Sequence, residues 1–436
     1  MSIRIAHISD THLGTRPRDG IKQNAWGVEM RTQLLENDYY ERFKELFETI
    51  AALDPPVDIV VHSGDLYNSP WEGNPLQPPV VAQEIAISVL KNFIETTGIP
   101  VLILEGNHGL YRSLEVSLLD TLRIAVPGLL VATQQELKRA FSAGQPLVKN
   151  LEKLDVYCFP FLEKNVLDSS NLTEKYNDWI LTYQKPIAKR ASIAVAHGME
   201  LDETLYPAIF SLPYDYIALG HDHHQHRHAK NAWYAGSPER WRFDEIRHQK
   251  GFLVVDISES QDVEVTEIHL DFVRPVFNER LTIESDDTIE SVMEKLHTLL
   301  EDSGVKTPWN PETAARIRIV IDGSSTKVNG VDLSIALESF RLKALGNDSD
   351  YNLVQMKWTL KTPVVEHDPA AYPEIESEFL IEDPESDFLE YLDTIKIEES
   401  FDSSLLTKIA VTALKKSVSQ EDDKMTLESI TEEGSD

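Results

Sequence analysis

Five short stretches of the chain carry side chains of the kinds that bind metals, and each follows an apolar, strand-like run. They are S-D-T-H-L-G with Asp10 and His12, H-S-G-D-L-Y-N with Asp65, E-G-N-H-G with Asn107 and His108, A-H-G with His197, and G-H-D-H-H with His221 and His223. Ligands of α/β proteins lie outside the carboxyl ends of the strands, so the five tips are expected to converge. Asp10 and His12, like His221 and His223, are two residues apart, and side chains at that spacing on extended chain point the same way.

The pooled side chains offer four imidazoles, two carboxylates and one amide oxygen, with no thiolate. Mixed nitrogen and oxygen ligands suit manganese, iron or zinc, and seven donors are too many for one ion. Two ions about 3.5 to 4 Å apart, with one carboxylate bridging them, would use the whole set. Glycines at positions 64, 106, 198 and 220 would let the backbone turn sharply beside the ions.

Other histidines are expected to have different roles. His7 and His62 lie within strand-like runs and should alternate away from the site. His224, His226 and His228 should face solvent or a phosphate. The predicted centre therefore draws only on the histidines at the strand tips.

The composition is that of an acidic chain of 436 residues, long enough for two or three domains. Its net charge of −32 argues against a nucleic-acid-binding protein, because such proteins use basic surfaces to release counterions from phosphate. The acidity is uneven, since residues 366–436 hold 21 Asp and Glu but 5 Lys and Arg, about half of the excess. Nucleic acid would have to be bound by local basic patches, by metal ions or through a basic partner.

The sequence also predicts a soluble, cytoplasmic protein. The one cysteine, Cys158, excludes a disulfide framework and a cysteine-rich zinc site, and it suits a reducing compartment. The chain starts directly in a strand-like run, without the charged and apolar regions of a signal peptide. No apolar run approaches the length of a bilayer span, so no contact with a membrane is expected.

Hydrophobic periodicity predicts an α/β fold, a two-sheet α/β sandwich with a smaller α+β domain and C-terminal helices. Apolar strands alternate with amphipathic helices up to about residue 125, which indicates a mostly parallel sheet covered on both sides. Shorter strands at 191–270 suggest a second, more antiparallel sheet. The predicted organisation is a sandwich domain at 1–274, an α+β domain at 275–365, an acidic, proline-containing linker at 366–385, amphipathic helices at 386–418 and a disordered acidic tail at 419–436.

The order D-x-H, G-D, G-N-H, H and G-H-x-H resembles the calcineurin-like metallophosphoesterase superfamily and, within it, the SbcD-type DNA repair nucleases. The narrower resemblance is carried by D-T-H-L-G at 10–14, G-D-L-Y-N at 64–68 and W-Y-A-G-S-P-E-R-W-R-F-D-E at 233–245. It implies a nuclease domain, a capping domain that faces DNA, and C-terminal helices that dock on the coiled coil of an SMC-type, SbcC-like ATPase. Whether the chain also forms a homodimer is left open.

The resemblance also implies roles for the site residues. Asp10, His12 and His223 would hold one ion, Asn107, His197 and His221 the other, and Asp65 would bridge them; the usual ion of the family is manganese. The two ions would lower the pKa of a shared water so that hydroxide attacks phosphorus in line. His108 would be the catalytic residue that protonates the leaving 3′ oxygen or stabilises its charge.

Two positions depart from the pattern of the family. Gly109 replaces the acidic residue that normally follows G-N-H, so a carboxylate that could orient His108 is missing unless Asp222 or another residue substitutes. Asn68 stands where many relatives carry histidine or aspartate, and asparagine cannot transfer a proton near neutral pH. We expect intact metal binding with slower or altered cleavage, and exonuclease or endonuclease preference stays open.

Substrate contacts are expected from the loop after the first motif and from the α+β domain. The candidates are Asn68, Arg16 and Arg18 near the metals, with Trp26 on the same loop, and Arg316, Arg318, Lys343 and Lys357 in the α+β domain. The aromatic residue is expected to pack rather than to stack on a base.

Three functions fit these observations. The first is a metal-dependent nuclease that acts on DNA ends or hairpins in double-strand break processing. The second is a phosphodiesterase for a small nucleotide or a phosphatase for a phosphoprotein, which would need no capping domain. The third is a metal-binding subunit of an ATPase complex with little catalysis, as Gly109 and Asn68 would allow.

Overall fold

The computed structural model describes residues 2–15, 26–70, 76–109, 117–162, 172–187, 190–198, 207–271, 274–346 and 349–361. The substrate-contact candidates Arg16 and Arg18 lie outside these ranges. So do the predicted linker at 366–385, the docking helices at 386–418 and the tail at 419–436, which therefore stay predictions. Within the described ranges, no helix has the length and apolar character needed to cross a membrane.

The elements alternate between strand and helix in the first half of the chain and again after residue 275. The strands are β1 Ile3–Ile8, β2 Ile59–His62, β3 Val101–Leu104, β4 Leu130–Ala132, β5 Val148–Asn150, β6 Leu154–Phe159, β7 Ala191–His197, β8 Tyr216–Gly220, β9 His226–Ala229, β10 Ala232–Tyr234, β11 Gly251–Ile257, β12 Val263–His269, β13 Val276–Ile283, β14 Ala315–Gly323 and β15 Leu353–Leu360. The helices are α1 Trp26–Ala51, α2 Val80–Thr97, α3 Leu118–Ala125, α4 Gln134–Ala143, α5 Leu172–Tyr183, α6 Ile289–Asp302 and α7 Gly330–Ala344.

Two six-stranded sheets form the predicted sandwich, which is confirmed. The prediction that the strands at 191–270 make a second, more antiparallel sheet is wrong, because β11 and β12 pair in the first sheet and β7, β8 and β10 pair in parallel. The first has the order β12-β11-β1-β2-β3-β4, with β1 to β4 parallel and β11 and β12 antiparallel. The second has the order β5-β6-β7-β8-β10-β9, with parallel pairing from β6 to β8. The carboxyl ends of β1, β2 and β3 therefore share one edge, and those of β7 and β8 share another.

Alternation along β1 explains how the first sheet is covered on both faces. Ile3 and Ile5 belong to the core between the two sheets, whereas Ala6 and Ile8 belong to the core formed with α1 and α2. Each fully buried aliphatic side chain of this kind contributes about 1.5 to 3 kcal/mol of transfer free energy. A strand that is apolar on both faces must be central, which is why β1 to β3 hold a fixed register beneath the predicted metal ligands.

A third sheet, β13-β14-β15, is parallel and packs against α6 and α7 around a core of its own. The element order strand, helix, strand, helix, strand agrees with the pattern predicted for the α+β domain. Side chains of α1 contact this layer: Arg31 donates to the carbonyl of Gly346 at 2.7 Å, and Asp38 pairs with Arg274. The boundary at residue 275 stays a prediction.

Candidate metal centre

The side chains predicted as ligands lie at adjacent strand ends of the two sheets. Asp10 and His12 follow β1, Asp65 follows β2 and Asn107 follows β3, while His197 ends β7 and His221 directly follows β8. Because β1, β2 and β3 are parallel neighbours, and so are β7 and β8, the two groups of tips meet across the sandwich. The expected convergence at the carboxyl ends of the strands is what the chain adopts.

The local backbone differs from the extended chain that was expected at the paired ligands. β1 ends at Ile8, and Asp10 and His12 have φ angles of 51° and 46°, in the left-handed region; Asp65 has 57° and His221 has 96°. In the described ranges, Gln261 is the other non-glycine residue with positive φ. The expected alternation is therefore wrong as the reason that Asp10 and His12 share a site. Strained backbone concentrated at these residues is typical of functional sites.

The first cluster consists of Asp10, His12 and His223. The Nε2 atoms of the two histidines face each other at 3.0 Å, and Asp10 Oδ1 lies 3.9 Å from each of them. Asp10 and His12 are almost fully buried. These three ligand atoms lie close enough together to coordinate one ion.

The second cluster consists of Asn107, His197 and His221. Asn107 Oδ1 lies 2.9 Å from His197 Nε2 and 3.0 Å from His221 Nδ1. His197 Nδ1 donates to the carbonyl of Ser63 at 2.9 Å, so the lone pair of its Nε2 faces the site. The backbone N–H of His221 donates to Asp10 Oδ2 at 3.0 Å, which links the second cluster to the first.

Asp65 lies between the two clusters. Its Oδ1 is 3.5 Å from His197 Nε2, and its Oδ2 is 3.8 Å from His12 Nε2. Burial alone would raise the pKa of Asp65, but His197 and His108 outweigh burial and lower it well below the usual range. Burial alone would likewise lower the pKa of His197, yet Asp65 raises it to about 9. These two shifts keep Asp65 ionised beside His197, so the carboxylate favours a cation next to it, whether a proton on the imidazole or a metal ion in its place.

The donor set fits divalent ions by the chemistry of the atoms present. Asp10 Oδ1 is buried and, within the described part of the chain, accepts no hydrogen bond. Imidazole lone pairs and carboxylate or amide oxygens that converge without enough N–H donors are stabilised by a cation placed among them. The family to which these motifs point uses divalent metals, and the side chains needed to hold them are present here.

Glu245 is a further member of the site that motif reasoning did not identify. Its Oε1 accepts from His223 Nδ1 at 2.9 Å, and its Oε2 forms a 2.6 Å ion pair with Lys250. Burial would raise the pKa of Glu245, but the hydrogen bond from His223 and the charge of Lys250 lower it to about 2. Glu245 ends the W-Y-A-G-S-P-E-R-W-R-F-D-E segment and Lys250 follows it five residues later. The sequence therefore marked this segment as similar to the family but indicated no role for either residue.

Trp241 is a second residue that the sequence did not single out. Its indole stacks on the ring of His12 with centroids 4.8 Å apart and planes 5° from parallel. It also meets the rings of His223 at 5.2 Å and His108 at 5.8 Å. The indole therefore covers the first cluster and is in contact with the predicted catalytic histidine.

His108 is oriented by the backbone. Its Nδ1 lies 2.8 Å from the carbonyl oxygen of Asn68, and its own N–H donates to Asp65 Oδ1 at 2.8 Å. The Asn68 carbonyl therefore orients the His108 ring, the task expected of the carboxylate that Gly109 replaces. The side chain of Asp222 accepts from the N–H of His224. The amide oxygen of Asn68 is buried and, in the described structure, has no hydrogen-bond partner.

His7 and His62 lie away from both clusters, as alternation along their strands predicted, and His224 faces solvent as expected. His7 is fully buried between Tyr216 Oη and Ser63 Oγ, and His62 lies against Thr11 Oγ1. His224 is exposed and stacks on His248 with centroids 4.2 Å apart. None of these rings contributes to the two clusters.

A cavity of about 670 Å³ opens between Trp241 and the third sheet. Its basic lining includes Arg242, Arg318 and Lys357, and Trp358 adds a second indole. Arg316, which was a candidate for contact with DNA, is buried and donates to the carbonyl of Arg240 at 2.8 Å and to Gln355. Its observed role is thus to tie β14 to the Trp241 segment. Lys343 is exposed on α7 and is not among the cavity-lining residues.

Comparison with known proteins agrees with this geometry. A family model described as calcineurin-like phosphoesterase matches residues 3–225. The DNA double-strand break repair protein Mre11 of Thermoplasma acidophilum is 27% identical over 311 residues, which are 69% of this chain and 74% of that protein. The Mre11 proteins of Methanococcus maripaludis and Methanocaldococcus jannaschii are 26% and 30% identical over 60% of this chain, and the matches span 65% and 64% of those proteins.

The family model spans the strand tips up to the loop that follows β8, and therefore every residue of the two clusters. The family predicted from the motifs is confirmed. The chain belongs to the calcineurin-like metallophosphoesterases, metal-dependent enzymes that cleave phosphate esters, and within that family it is similar to Mre11 proteins.

Proposed function

We propose that this chain is a two-metal-dependent nuclease that cleaves DNA ends or hairpins together with an SMC-type ATPase during the processing of double-strand breaks. The observation that carries the proposal is the position of Asp65 between two ligand clusters, in a chain whose relatives are named DNA double-strand break repair proteins. One carboxylate shared by two clusters is the arrangement that a phosphodiester-cleaving two-metal site requires.

The first cluster is proposed to hold one Mn²⁺ and the second cluster another, with Asp65 as the shared ligand. Ions bound there supply Lewis acidity toward the phosphoryl oxygens and make water a stronger nucleophile at neutral pH. Mn²⁺ is proposed because it is the usual ion of the family that the motifs resemble; the oxygen and imidazole donors without thiolate are compatible with it, as they are with iron or zinc.

His108 is proposed to give a proton to the leaving oxygen. Because its Nδ1 donates to the carbonyl of Asn68, the proton that can be transferred is the one on Nε2. Nε2 lies on the side of the site, 4.0 Å from Asp65 Oδ2. A backbone carbonyl orients the ring without adding a charge, which supports catalysis in spite of Gly109.

DNA is proposed to approach over Trp241, past the cavity that Arg242, Arg318 and Lys357 line. These cations lie close together on a chain with a net charge of −32, so they offer a local site for phosphate where the average surface would repel it. The aromatic residues at the same cavity could stack on unpaired bases at an end or a hairpin loop.

Residues 386–418 are proposed to bind the coiled coil of the ATPase, and the complex is proposed to act in the cytoplasm, where its DNA substrate lies. The basis is the amphipathic pattern of this segment, with Leu405, Leu406 and Ile409 on one face. Deletion of residues 386–436 should abolish association with the ATPase and leave metal-dependent cleavage of a small diester intact. Association that survives the deletion would refute this part of the proposal.

The deciding experiment is cleavage of end-labelled duplex and hairpin DNA by the purified chain with Mn²⁺, beside bis(p-nitrophenyl) phosphate and the variant Asp65→Asn. Cleavage of DNA that is lost in the variant is expected. Hydrolysis of the small ester with none of DNA, even with the ATPase added, would favour a phosphodiesterase for small substrates. No turnover on either substrate, with two ions bound, would favour a weakly catalytic subunit, as Asn68 and Gly109 would allow.

A further inference from the structure

The carboxylate of Glu245 accepts four hydrogen bonds from three different parts of the site. Oε1 accepts from His223 Nδ1 at 2.9 Å and from the N–H of Arg242 at 3.1 Å. Oε2 accepts from Lys250 Nζ at 2.6 Å and from the N–H of Trp241 at 3.1 Å. A carboxylate has about four lone-pair positions, so its whole accepting capacity is used.

Two of these bonds determine what His223 and Trp241 present to the metal centre. Because His223 Nδ1 donates to Glu245, the lone pair lies on Nε2, the atom that faces His12 Nε2 at 3.0 Å. The bonds from the N–H groups of Trp241 and Arg242 hold the turn that brings the indole over the ring of His12. The side chain of Glu245 thus orients both His223, a predicted ion ligand, and Trp241, which covers the first cluster.

We propose that Glu245 is a positioning residue that holds His223 as an ion ligand and Trp241 as the cover of the first cluster in one hydrogen-bonded unit. Loss of the carboxylate would then weaken the binding of one of the two ions and, at the same time, release the indole of Trp241. The inference rests on the proposed ion binding by the first cluster, and it assigns to the residues at 241–250 a role that the family motifs do not contain.

Lys250 makes this arrangement dependent on charge. Its ammonium group is almost fully buried and donates to Glu245 Oε2, to Ser237 Oγ at 2.8 Å and to the carbonyl of His223 at 2.9 Å. All three N–H donors are therefore used. The buried pair also anchors the backbone of His223, so that the position and the tautomer of this ligand are held by the same pair of side chains.

The substitution Glu245→Gln is informative because glutamine offers one accepting oxygen and one donating NH₂ group. The charged Lys250 competes best for the oxygen, since hydrogen bonds from ionised donors are the stronger ones. The NH₂ group would then face His223 Nδ1–H, donor against donor, and the ring would turn or change tautomer. In Glu245→Gln/Lys250→Met the competitor is removed, and the amide oxygen can return to His223.

The test uses the full chain and Mn²⁺ titration by calorimetry, with Trp fluorescence followed in the same titration. Wild type is expected to bind two ions, and Glu245→Gln is expected to bind one of them about 10- to 100-fold more weakly. Trp241→Phe identifies the part of the Mn²⁺-dependent fluorescence change that comes from Trp241. That part should also be lost in Glu245→Gln. The double variant should recover part of the lost affinity but not all of it, because it also lacks the bond from Lys250 to the carbonyl of His223. Glu267→Gln, which alters an exposed Glu–His pair on β12, should resemble wild type.

Selective ¹⁵N labelling of histidine gives a readout that needs no ion. In the metal-free chain, His223 should carry its proton on Nδ1, and Glu245→Gln should change that tautomer. Unchanged affinity for both ions, or an unchanged tautomer in Glu245→Gln, would overturn the inference. So would an equal loss of both ions with a lower unfolding temperature and no recovery in the double variant. A wild-type chain that binds no Mn²⁺ would refute the proposed function, and the spectra would still decide the role of Glu245.

Discussion

The two ligand clusters of the candidate centre are supported in different ways. In the first cluster, His223 is oriented by the side chain of Glu245, which is itself held by Lys250. In the second cluster, His197 at the end of β7 is oriented by the backbone carbonyl of Ser63, which follows β2 in the other sheet. The first support comes from a segment outside the strand tips, and the second is part of the sheet edge itself.

This difference separates what can be changed by side-chain substitution from what depends on the fold. A carboxylate can be replaced with little change of shape, so the first cluster can be altered selectively. A carbonyl at a strand end cannot be removed, and the second cluster can be reached only through its ligands or through residues that keep the strands close.

Asp65→Asn should affect both clusters at once, because Asp65 lies within 4 Å of ligand nitrogens from each. Loss of the shared charge should lower turnover by more than about 100-fold, beyond the loss expected for a residue that only supports ligands. Turnover of a chromogenic diester and ion stoichiometry measure this effect. The control Asp222→Asn removes a carboxylate that contacts the N–H of His224 and should stay near wild type. A variant that lost only one ion would show that Asp65 does not join the clusters.

Gly64→Ala should damage the second cluster through the backbone. Gly64 has φ of 119°, and a Cβ there would overlap the ring of His197. Strain and overlap together should lower the free energy of unfolding by about 3 to 5 kcal/mol. They should also weaken the binding of the ion at the second cluster. Gly109→Ala is the matched control, because its φ is 92° but, among the described residues other than its chain neighbours, no atom lies within 4 Å of an added Cβ. It should cost about 1 to 2 kcal/mol, from strain alone.

Urea unfolding of the two glycine variants, beside ion titration, measures the difference. Equal costs would mean that the close approach of Gly64 to His197 is not what holds the second cluster. A large cost for Gly109→Ala alone would place the constraint in the loop after β3 instead.

The contrast between the clusters also explains how much could be predicted from the sequence. The ligands at the strand tips followed from apolar runs that end in D, H and N residues, because strand ends are local features. Their left-handed backbone at Asp10 and His12 was not predicted, since φ depends on how the neighbouring strands meet. Glu245 was not predicted either, because it contacts His223 only after the intervening β9, β10 and the turn at 241–245 have folded back.

Charge alone was a poor guide to contacts in the third sheet. Arg316 and Arg318 are two residues apart on β14 and were expected to have the same role, yet Arg316 is buried against the carbonyl of Arg240. Residues two apart on a strand share a face, but the contact of Arg316 with the carbonyl of Arg240 is a tertiary property that the local pattern does not contain.

Acid should destabilise the fold through buried histidines that belong to neither cluster. This loss of stability must be measured before ion binding by the two clusters is compared at low pH. Burial lowers the pKa of His7 from 6.5 to about 3, and that of His62 likewise. The folded state therefore resists a proton that the unfolded chain accepts, so stability is full above about pH 6.5 and falls as the pH drops toward 3. For one such histidine the loss between pH 7 and pH 5 is about 2 kcal/mol.

Unfolding free energies of wild type and His7→Gln at these two pH values test this expectation. The variant should be less stable at pH 7 but lose about 2 kcal/mol less on acidification. His269→Gln, on exposed β12, should keep the wild-type dependence. If the unfolding free energy of His7→Gln fell with pH as much as that of wild type, His7 would not be the group that resists protonation.

The smallest effect should come from the approach to the first cluster, where Trp241 separates His12 from the cavity that Arg318 and Lys357 line. If DNA enters from this side, each of Arg318→Gln and Lys357→Gln should weaken DNA binding by about fivefold at 0.15 M salt. Each should also reduce the salt slope by about one, because one phosphate contact is lost. Lys343→Gln, an exposed cation away from the cavity, is the control. Turnover of the small diester should not change, since that substrate needs the metal centre and His108 but no phosphate contact in the third sheet. Equal losses on DNA and on the small diester would instead mean that the third sheet supports the clusters and that DNA reaches the ions by another side.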